Sequence, residues 1–325
     1  MIKEESGLPA ETADGKQLHI WANADTPDEV RKAIECGCLG VGLYRTESLF
    51  LRKNSLPTED EQFEEYLGMV KSANGKAVTI RTLDIGGDKL LEGWNQQKEA
   101  NPFMGFRAIR YCLSNPSVFL IQLRAILRAS AFGKVRIMLP MITGIGEVVR
   151  AKELIAQAMD ELKGKGQDFD KQIQIGCMIE TPAAVAICDL LAEEADFFSV
   201  GTNDLVQYIL AVDRVNNEIA FLYEPHHPAV IRSLKQIAKV ANERNLPVTV
   251  CGEIAGDPHF LPLLIGLGFD SFSASATMVP ELKFFARRFN INDVEQITSE
   301  SESKQRPSEV KELIKNFYEA RISED

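Results

Sequence analysis

The chain has 325 residues, 45% of them hydrophobic and 26% charged, and 36 Lys and Arg against 47 Asp and Glu give it a formal net charge of −11. That balance excludes a disordered tail and supplies enough apolar residues for a full core, while the acidic excess excludes a general nucleic-acid binder, which needs a basic face. At roughly 150 residues per domain the length allows two domains or one large α/β barrel.

The first residues carry no apolar signal core, and no run approaches the roughly 18–20 apolar residues of a membrane helix. Six cysteines stand at 36, 38, 112, 177, 188 and 251, with no Cys-x-x-Cys pair. This usage points to reduced thiols and a cytoplasmic protein.

Eight short apolar, β-branched runs read as buried parallel strands: Leu18–Ala22, Gly40–Tyr44, Ala77–Thr82, Val135–Leu139, Ile173–Ile179, Phe197–Val200, Pro247–Val250 and Asp270–Phe272. A helical pattern follows each. Thr26-Pro27 opens the first helix as N-cap and first helical position. Thr58 with Glu61 opens the next as a capping box. Asn115-Pro116-Ser117 opens a third, and others fit about 144–164, 181–194, 203–211, 228–244, 257–267 and 279–288. Strands alternating with helices imply parallel pairing, and eight such units predict a TM-free α/β fold of the TIM (β/α)8 barrel type in a single domain. An open doubly wound sheet is the runner-up, weakened by the lack of a Gly-x-Gly-x-x-Gly turn. The expected division is a lead-in over 1–17, the barrel over 18–290 and a charged appendage over 291–325 with a last helix near 307–321. A long insertion over about 84–115 reads as functional, because loops of that length inside a compact domain usually are.

In such a barrel the site lies at the carboxyl ends of the strands. Polar residues collect there: Arg45-Thr46-Glu47, Arg81-Thr82 with Asp84, Glu180-Thr181, Gly201-Thr202-Asn203-Asp204, and Cys251-Gly252-Glu253. Arg45, Arg81, Arg107 and Arg214 suit a multiply charged anion, because the guanidinium fork pairs with phosphate or carboxylate. Glu180 and Asp204 suit Mg2+, which takes few protein oxygens. Anion clamp, divalent metal and a helix N-terminus behind Gly201 together read as phosphoryl transfer. Blander readings compete at single positions. Cys251 could be an ordinary small core residue, and Arg110 an ordinary surface arginine. His226-His227 sit on a turn and do not make a metal pair, and His19 and His259 lack local partners and read as structural.

The run Asp196 to Tyr208, with Gly201-Thr202-Asn203-Asp204 at its centre, resembles the signature of phosphoenolpyruvate-utilising enzymes. Gly42–Glu47, Arg81–Lys89, Asn101–Arg110 and Cys251-Gly252-Glu253 agree in order. Together they resemble the C-terminal phosphoenolpyruvate-binding domain of the enzyme I family of the bacterial phosphoenolpyruvate:sugar phosphotransferase system. The resemblance implies that Arg45, Arg81 and Arg214 hold the phosphate and carboxylate of phosphoenolpyruvate, with Asn203 contributing and Arg107 and Lys89 near the phosphate. It implies Mg2+ on Glu180 and Asp204, and Cys251 as the acid that protonates the enolate carbon. It also implies homodimerisation, and as partners a phosphohistidine domain and a downstream histidine-containing phosphocarrier protein, with no nucleic acid and no membrane. None of the four histidines lies in a Gly-rich phosphohistidine context, so the acceptor is expected on an N-terminal domain outside this chain. Ser48 departs from the bulky apolar residue expected there. The sugar and nitrogen-regulatory branches stay open. So do two alternatives: the matching domain of pyruvate phosphate dikinase or phosphoenolpyruvate synthase, and a non-catalytic phosphoenolpyruvate-sensing dimerisation module.

Overall fold

The computed structural model describes residues 7–52, 56–85 and 99–323. Eight parallel strands follow one another around a closed barrel: β1 (His19–Ala24), β2 (Gly40–Arg45), β3 (Ala77–Arg81), β4 (Val135–Leu139), β5 (Gln174–Ile179), β6 (Phe198–Gly201), β7 (Val248–Cys251) and β8 (Ser271–Ser275). The seam is a regular parallel ladder from His19↔Ser271 to Asn23↔Ser275, so no strand edge is left open. This is the (β/α)8 barrel that the strand spacing predicts.

Alternation along each strand divides two cores. On β1, Ile20, Ala22 and Ala24 are buried with the helix-facing core. Trp21 and Asn23 turn inwards, where Trp21 Nε1 donates to Ser271 Oγ (3.0 Å) and Asn23 Oδ1 accepts from Ser273 Oγ (2.7 Å). The floor of the barrel is filled in an unusual way. The Arg136 guanidinium lies 4.6 Å from the Trp21 ring and 4.8 Å from the Phe197 ring, a cation between two aromatic faces. Its Nε donates to Thr79 Oγ1 at 3.0 Å, and burial pushes its pKa down to about 10.

The helices start where their caps dictate. In α1 (Pro27–Glu35) the Thr26 side chain accepts from the Glu29 N–H, with Pro27 at the first turn. In α3 (Glu59–Ser72) the Glu61 N–H donates to Thr58 Oγ1 at 3.3 Å and the Thr58 N–H to Glu61 Oε2 at 2.9 Å, the expected capping box. Between β2 and α3 lies the short α2 (Glu47–Leu51). After the insertion come α4 (Ala108–Ser114), α5 (Pro116–Ser130) and α6 (Ile145–Gly164).

Three helical stretches differ from the sequence expectation. The segment 181–194 is broken at Ile187 into α7 (Pro182–Ala186) and α8 (Cys188–Glu194). Beyond α9 (Thr202–Leu210) and α10 (Pro228–Glu243), a short α11 (Glu253–Gly256) precedes the segment expected at 257–267. Of that segment only Leu261–Gly266 is helical, as α12, because Pro258 cannot continue a helix from Asp257. After α13 (Val279–Ala286) the C-terminal stretch forms two helices rather than one, α14 (Ile291–Ser303) and α15 (Pro307–Ile322). Asn290 and Asp293 start α14 with a reciprocal capping box.

The segment before β1 meets the start of α14. The Ala13 N–H donates to Phe289 O (2.9 Å) and the Ile291 N–H to Asp14 Oδ2 (3.1 Å). Val294 and Ile297 of α14 and Val310 and Ile314 of α15 are buried in the main core. Among the described residues no helix is long and apolar enough to cross a membrane.

Candidate active site

The strand ends surround a cavity of about 970 Å³ at the carboxyl mouth of the barrel. Of the residues singled out in the sequence, Arg45, Arg81, Arg107, Glu180, Asn203, Asp204, Arg214 and Cys251 all line it. Lys89, with the Gly86-Gly87-Asp88 run, lies outside the described residues.

The arginines are not bare. Arg81 Nη2 meets Glu47 Oε1 at 2.9 Å and its Nη1 meets Asp84 Oδ2 at 3.0 Å. Arg107 gives Asp84 Oδ1 two hydrogen bonds, from Nη2 at 2.7 Å and Nε at 3.1 Å, and stands 3.6 Å from Asp204 Oδ2. Arg214 Nη1 donates to Asp204 Oδ1 at 2.7 Å, and Arg45 Nη2 to Asp25 Oδ2 at 2.6 Å. Burial works against the charge of Arg81, but Glu47 and Asp84 outweigh it and hold the guanidinium above its ordinary pKa. One donor is left over: among the described residues Arg81 Nε is buried with no hydrogen-bond partner. Arg110, by contrast, ties the insertion to itself, donating to Met104 O (2.9 Å) and Gly105 O (3.1 Å). Tyr208 joins the insertion to the barrel, since Arg107 Nη1 donates to its hydroxyl (3.3 Å), which in turn donates to Phe103 O.

Glu180 ends β5 almost fully buried, at 1% exposure. Its Oε1 accepts the Met141 N–H at 2.6 Å. Met141 is held at φ +58°, a left-handed conformation that points this amide at the carboxylate. The other oxygen faces Gly201, where an added Cβ would stand 2.6 Å from Oε2. Glycine is therefore required for the two strand ends to approach. Burial first, then the charges of Asp204 and Asp84, push the Glu180 carboxyl up against the pull of Arg81. A carboxylate so placed is improved by a cation. Among the described residues no three His, Cys, Asp or Glu side chains gather as a metal cluster. Two carboxylates such as Glu180 and Asp204 fit an ion that completes its shell with water and substrate oxygens.

Cys251 ends β7 at 1% exposure, packed with Leu43, Met138, Met178 and Phe197. Its Sγ accepts from Ser199 Oγ (3.4 Å) and donates to Val200 O (3.2 Å). Burial pushes the thiol pKa up to about 11, so it stays protonated at neutral pH. The chain turns at Gly252, φ +90°, where a Cβ would collide with Thr202 Oγ1. That turn brings the Glu253 N–H to Asn203 Oδ1 (2.9 Å), and Asn203 Nδ2 returns a bond to Glu253 Oε1 (3.2 Å).

The sequence reading missed Asp25 as the partner of Arg45 and underrated His259. That histidine lines the cavity, with Asp257 Oδ1 2.8 Å from its Nδ1 and the Tyr318 ring stacked at 4.0 Å. Asp25 is 20 residues from Arg45 and Tyr318 lies far along the chain from His259, so no local spacing announces those two contacts, whereas Asp257 is a local partner of His259 two residues away. His227 is a capping residue, its Nδ1 accepting the Ala229 N–H at the start of α10.

A phosphoenolpyruvate-protein phosphotransferase of Staphylococcus aureus is 42% identical over 306 residues, covering 94% of this chain and 54% of that protein. The protein of the same name from Priestia megaterium is 43% identical over 307 residues, with the same coverage. The chain thus spans about half the length of the curated relatives it matches. The crystal structure of a citrate lyase from Burkholderia xenovorans shares the fold at a TM-score of 0.53 and 12% identity, over 98% of this chain and 94% of that one. The family model described as "PEP-utilising enzyme, PEP-binding domain" matches residues 2–291, and the chain belongs to that family of phosphoenolpyruvate-utilising enzymes.

Proposed function

We propose that this chain is the phosphoenolpyruvate-binding catalytic part of a phosphoenolpyruvate-protein phosphotransferase. The observation that carries the reading is the convergence on one cavity of four guanidinium groups and a buried, protonated thiol. Arg45, Arg81 and Arg214 bind the phosphate and carboxylate of the substrate, Arg81 with its free Nε, and Asn203 completes the binding. Arg107 and Lys89 assist at the phosphate. Glu180 and Asp204 would hold Mg2+, which when bound would supply charge neutralisation for the transfer.

In the transfer the P–O bond to the enol oxygen breaks and a P–N bond forms to a histidine imidazole, which gives up its N–H proton. The electron pair left on the enolate forms the carbonyl as the methylene carbon takes a proton from the Cys251 thiol, giving pyruvate. The thiolate is reprotonated from solvent. Against the burial that raises the Cys251 pKa, the Ser199 hydrogen bond and the positive charge of Arg81 both favour the thiolate, which moderates the cost of forming it transiently. The acceptor histidine belongs to an N-terminal domain, the next carrier is a histidine-containing phosphocarrier protein, and the working form is a cytoplasmic homodimer serving the sugar or the nitrogen-regulatory branch. The division into lead-in 1–17, barrel 18–290 and appendage 291–325 is part of the same proposal. The name borne by the curated relatives favours this reading over the dikinase alternative. A proton donor at Cys251 favours it over a sensor.

Phosphoenolpyruvate with Mg2+ is expected to raise the melting temperature of this chain, as any ligand of the native state does. Cys251→Ala should keep that shift and, with a phosphohistidine domain supplied in trans, lose pyruvate formation by about 10²-fold or more. No shift at millimolar ligand refutes the reading.

A further inference from the structure

The cavity is larger than a three-carbon phosphate ester requires, and its wall divides by charge. The arginines reach it from β2, β3, the insertion and the loop after α9. The sector at the ends of β7 and β8 contributes Glu253, Asp257, His259, Met278 and Glu281, with no lysine or arginine among the described lining residues. What holds this sector comes from the far end of the chain. Tyr318 on α15 stacks its ring on His259, with centroids 4.0 Å apart at 32°. Its hydroxyl donates to Glu281 Oε1 at 3.2 Å. His259 is fixed a second time by Asp257, which accepts its backbone N–H at 2.9 Å and faces its Nδ1 at 2.8 Å. The Tyr318 ring is itself seated against Phe285 at 4.6 Å, and neighbouring Phe317 packs on Phe285 and Phe289. Arg321 anchors the same helix to Asp293 at 2.6 Å.

We infer that Tyr318 is a positioning residue for this cavity, fixing the β7–β8 wall against which the phosphoryl acceptor comes to rest. The inference rests on the function proposed above. Its warrant is that one side chain clamps two wall residues contributed by different strand ends, while touching none of the arginines or carboxylates assigned to the substrate. Once an anion fills the arginine sector, the remaining wall carries only carboxylates and an imidazole. A second anion is disfavoured there, and a neutral or cationic group such as an acceptor imidazole is favoured. The helix outside the barrel thereby becomes part of the transfer site without contacting the substrate.

The test separates the two sectors. Phosphoenolpyruvate affinity in the presence of Mg2+ is measured by calorimetry on this chain and on its Tyr318→Ala and Tyr318→Phe variants. Pyruvate formation is measured with the acceptor supplied in trans, as the half of the Staphylococcus aureus relative that this chain does not match. Tyr318→Ala is expected to leave the phosphoenolpyruvate Kd within about twofold and to raise the acceptor KM about tenfold. Tyr318→Phe keeps the stack on His259 and should recover most of the loss, leaving about threefold for the missing hydroxyl. An unchanged acceptor KM in Tyr318→Ala overturns the inference. So does a parallel loss of phosphoenolpyruvate affinity, which marks a general loosening of the barrel. If the parent chain does not bind phosphoenolpyruvate at all, the functional reading itself falls and takes this one with it.

Discussion

Cys251 shows how much of a residue's chemistry is set by its surroundings. A free thiol ordinarily titrates near 9, whereas the apolar packing around Cys251 moves it to about 11. The raised value stabilises the folded chain fully below about pH 9, and that contribution is lost as pH rises through about 11. The same shift makes the sulfur a poor nucleophile and a serviceable acid, since only the thiolate attacks. Alkylation of Cys251 by iodoacetamide, followed residue by residue by mass spectrometry, should therefore be slow at pH 8 and climb towards a midpoint near 11. A midpoint near 8 to 9 would contradict the burial account and remove the basis for its role as donor. Gly252 and Gly201 belong to the same scale. Each leaves out a side chain where its neighbour, Thr202 or Glu180, occupies the space.

At the scale of elements, α14 is the instructive case. Its sequence, rich in Ser and Glu, carries little of the apolar periodicity that marks a helix, yet it forms because its start is well made. Asn290 Oδ1 accepts the Asp293 N–H at 3.0 Å and Asp293 Oδ2 accepts the Asn290 N–H at 2.9 Å. Asn290→Ala should cost about 1 kcal/mol in urea unfolding. Because α14 seats Asp293 against Arg321 of α15, it should also speed hydrogen exchange in both helices. Exchange unchanged in α15 would mean that the two are held independently. The strands were legible because buried parallel strands are continuously apolar. The sequence pattern nevertheless stopped β8 at Phe272, whereas it runs to Ser275, because small residues facing the barrel interior give no hydrophobic signal. The strand-end site residues were legible for the same topological reason, since the barrel brings every carboxyl end to one face. The carboxylates that pair with the arginines were less so. Asp25 meets Arg45, and Tyr318 meets His259, only after the barrel has closed and the tail has docked. No local spacing records either contact.

For the molecule as a whole, the arginines that suit an anion stand in a cavity where carboxylates outnumber them. Among the described residues eight carboxylates line the cavity (Asp25, Glu47, Asp84, Glu180, Asp204, Glu253, Asp257 and Glu281) against four arginines. An anionic substrate alone meets a field that is negative on balance, and a divalent cation alone meets arginines already engaged. The two should bind as a pair, each raising the affinity for the other by the same factor. Titrations of phosphoenolpyruvate with and without Mg2+ should differ by at least tenfold in Kd, and by much less in Glu180→Gln. Equal affinities would place the ion away from Glu180. Finally, the chain contains two tryptophans, and Trp21 sits on the floor of the barrel, at the seam where the first strand meets the last, on the face of the Arg136 guanidinium. Its indole is thus a built-in optical gauge of ring closure, remote from the substrate mouth. In a Trp94→Phe background, its emission would follow the joining of β1 to β8 during refolding and stay silent when ligand binds.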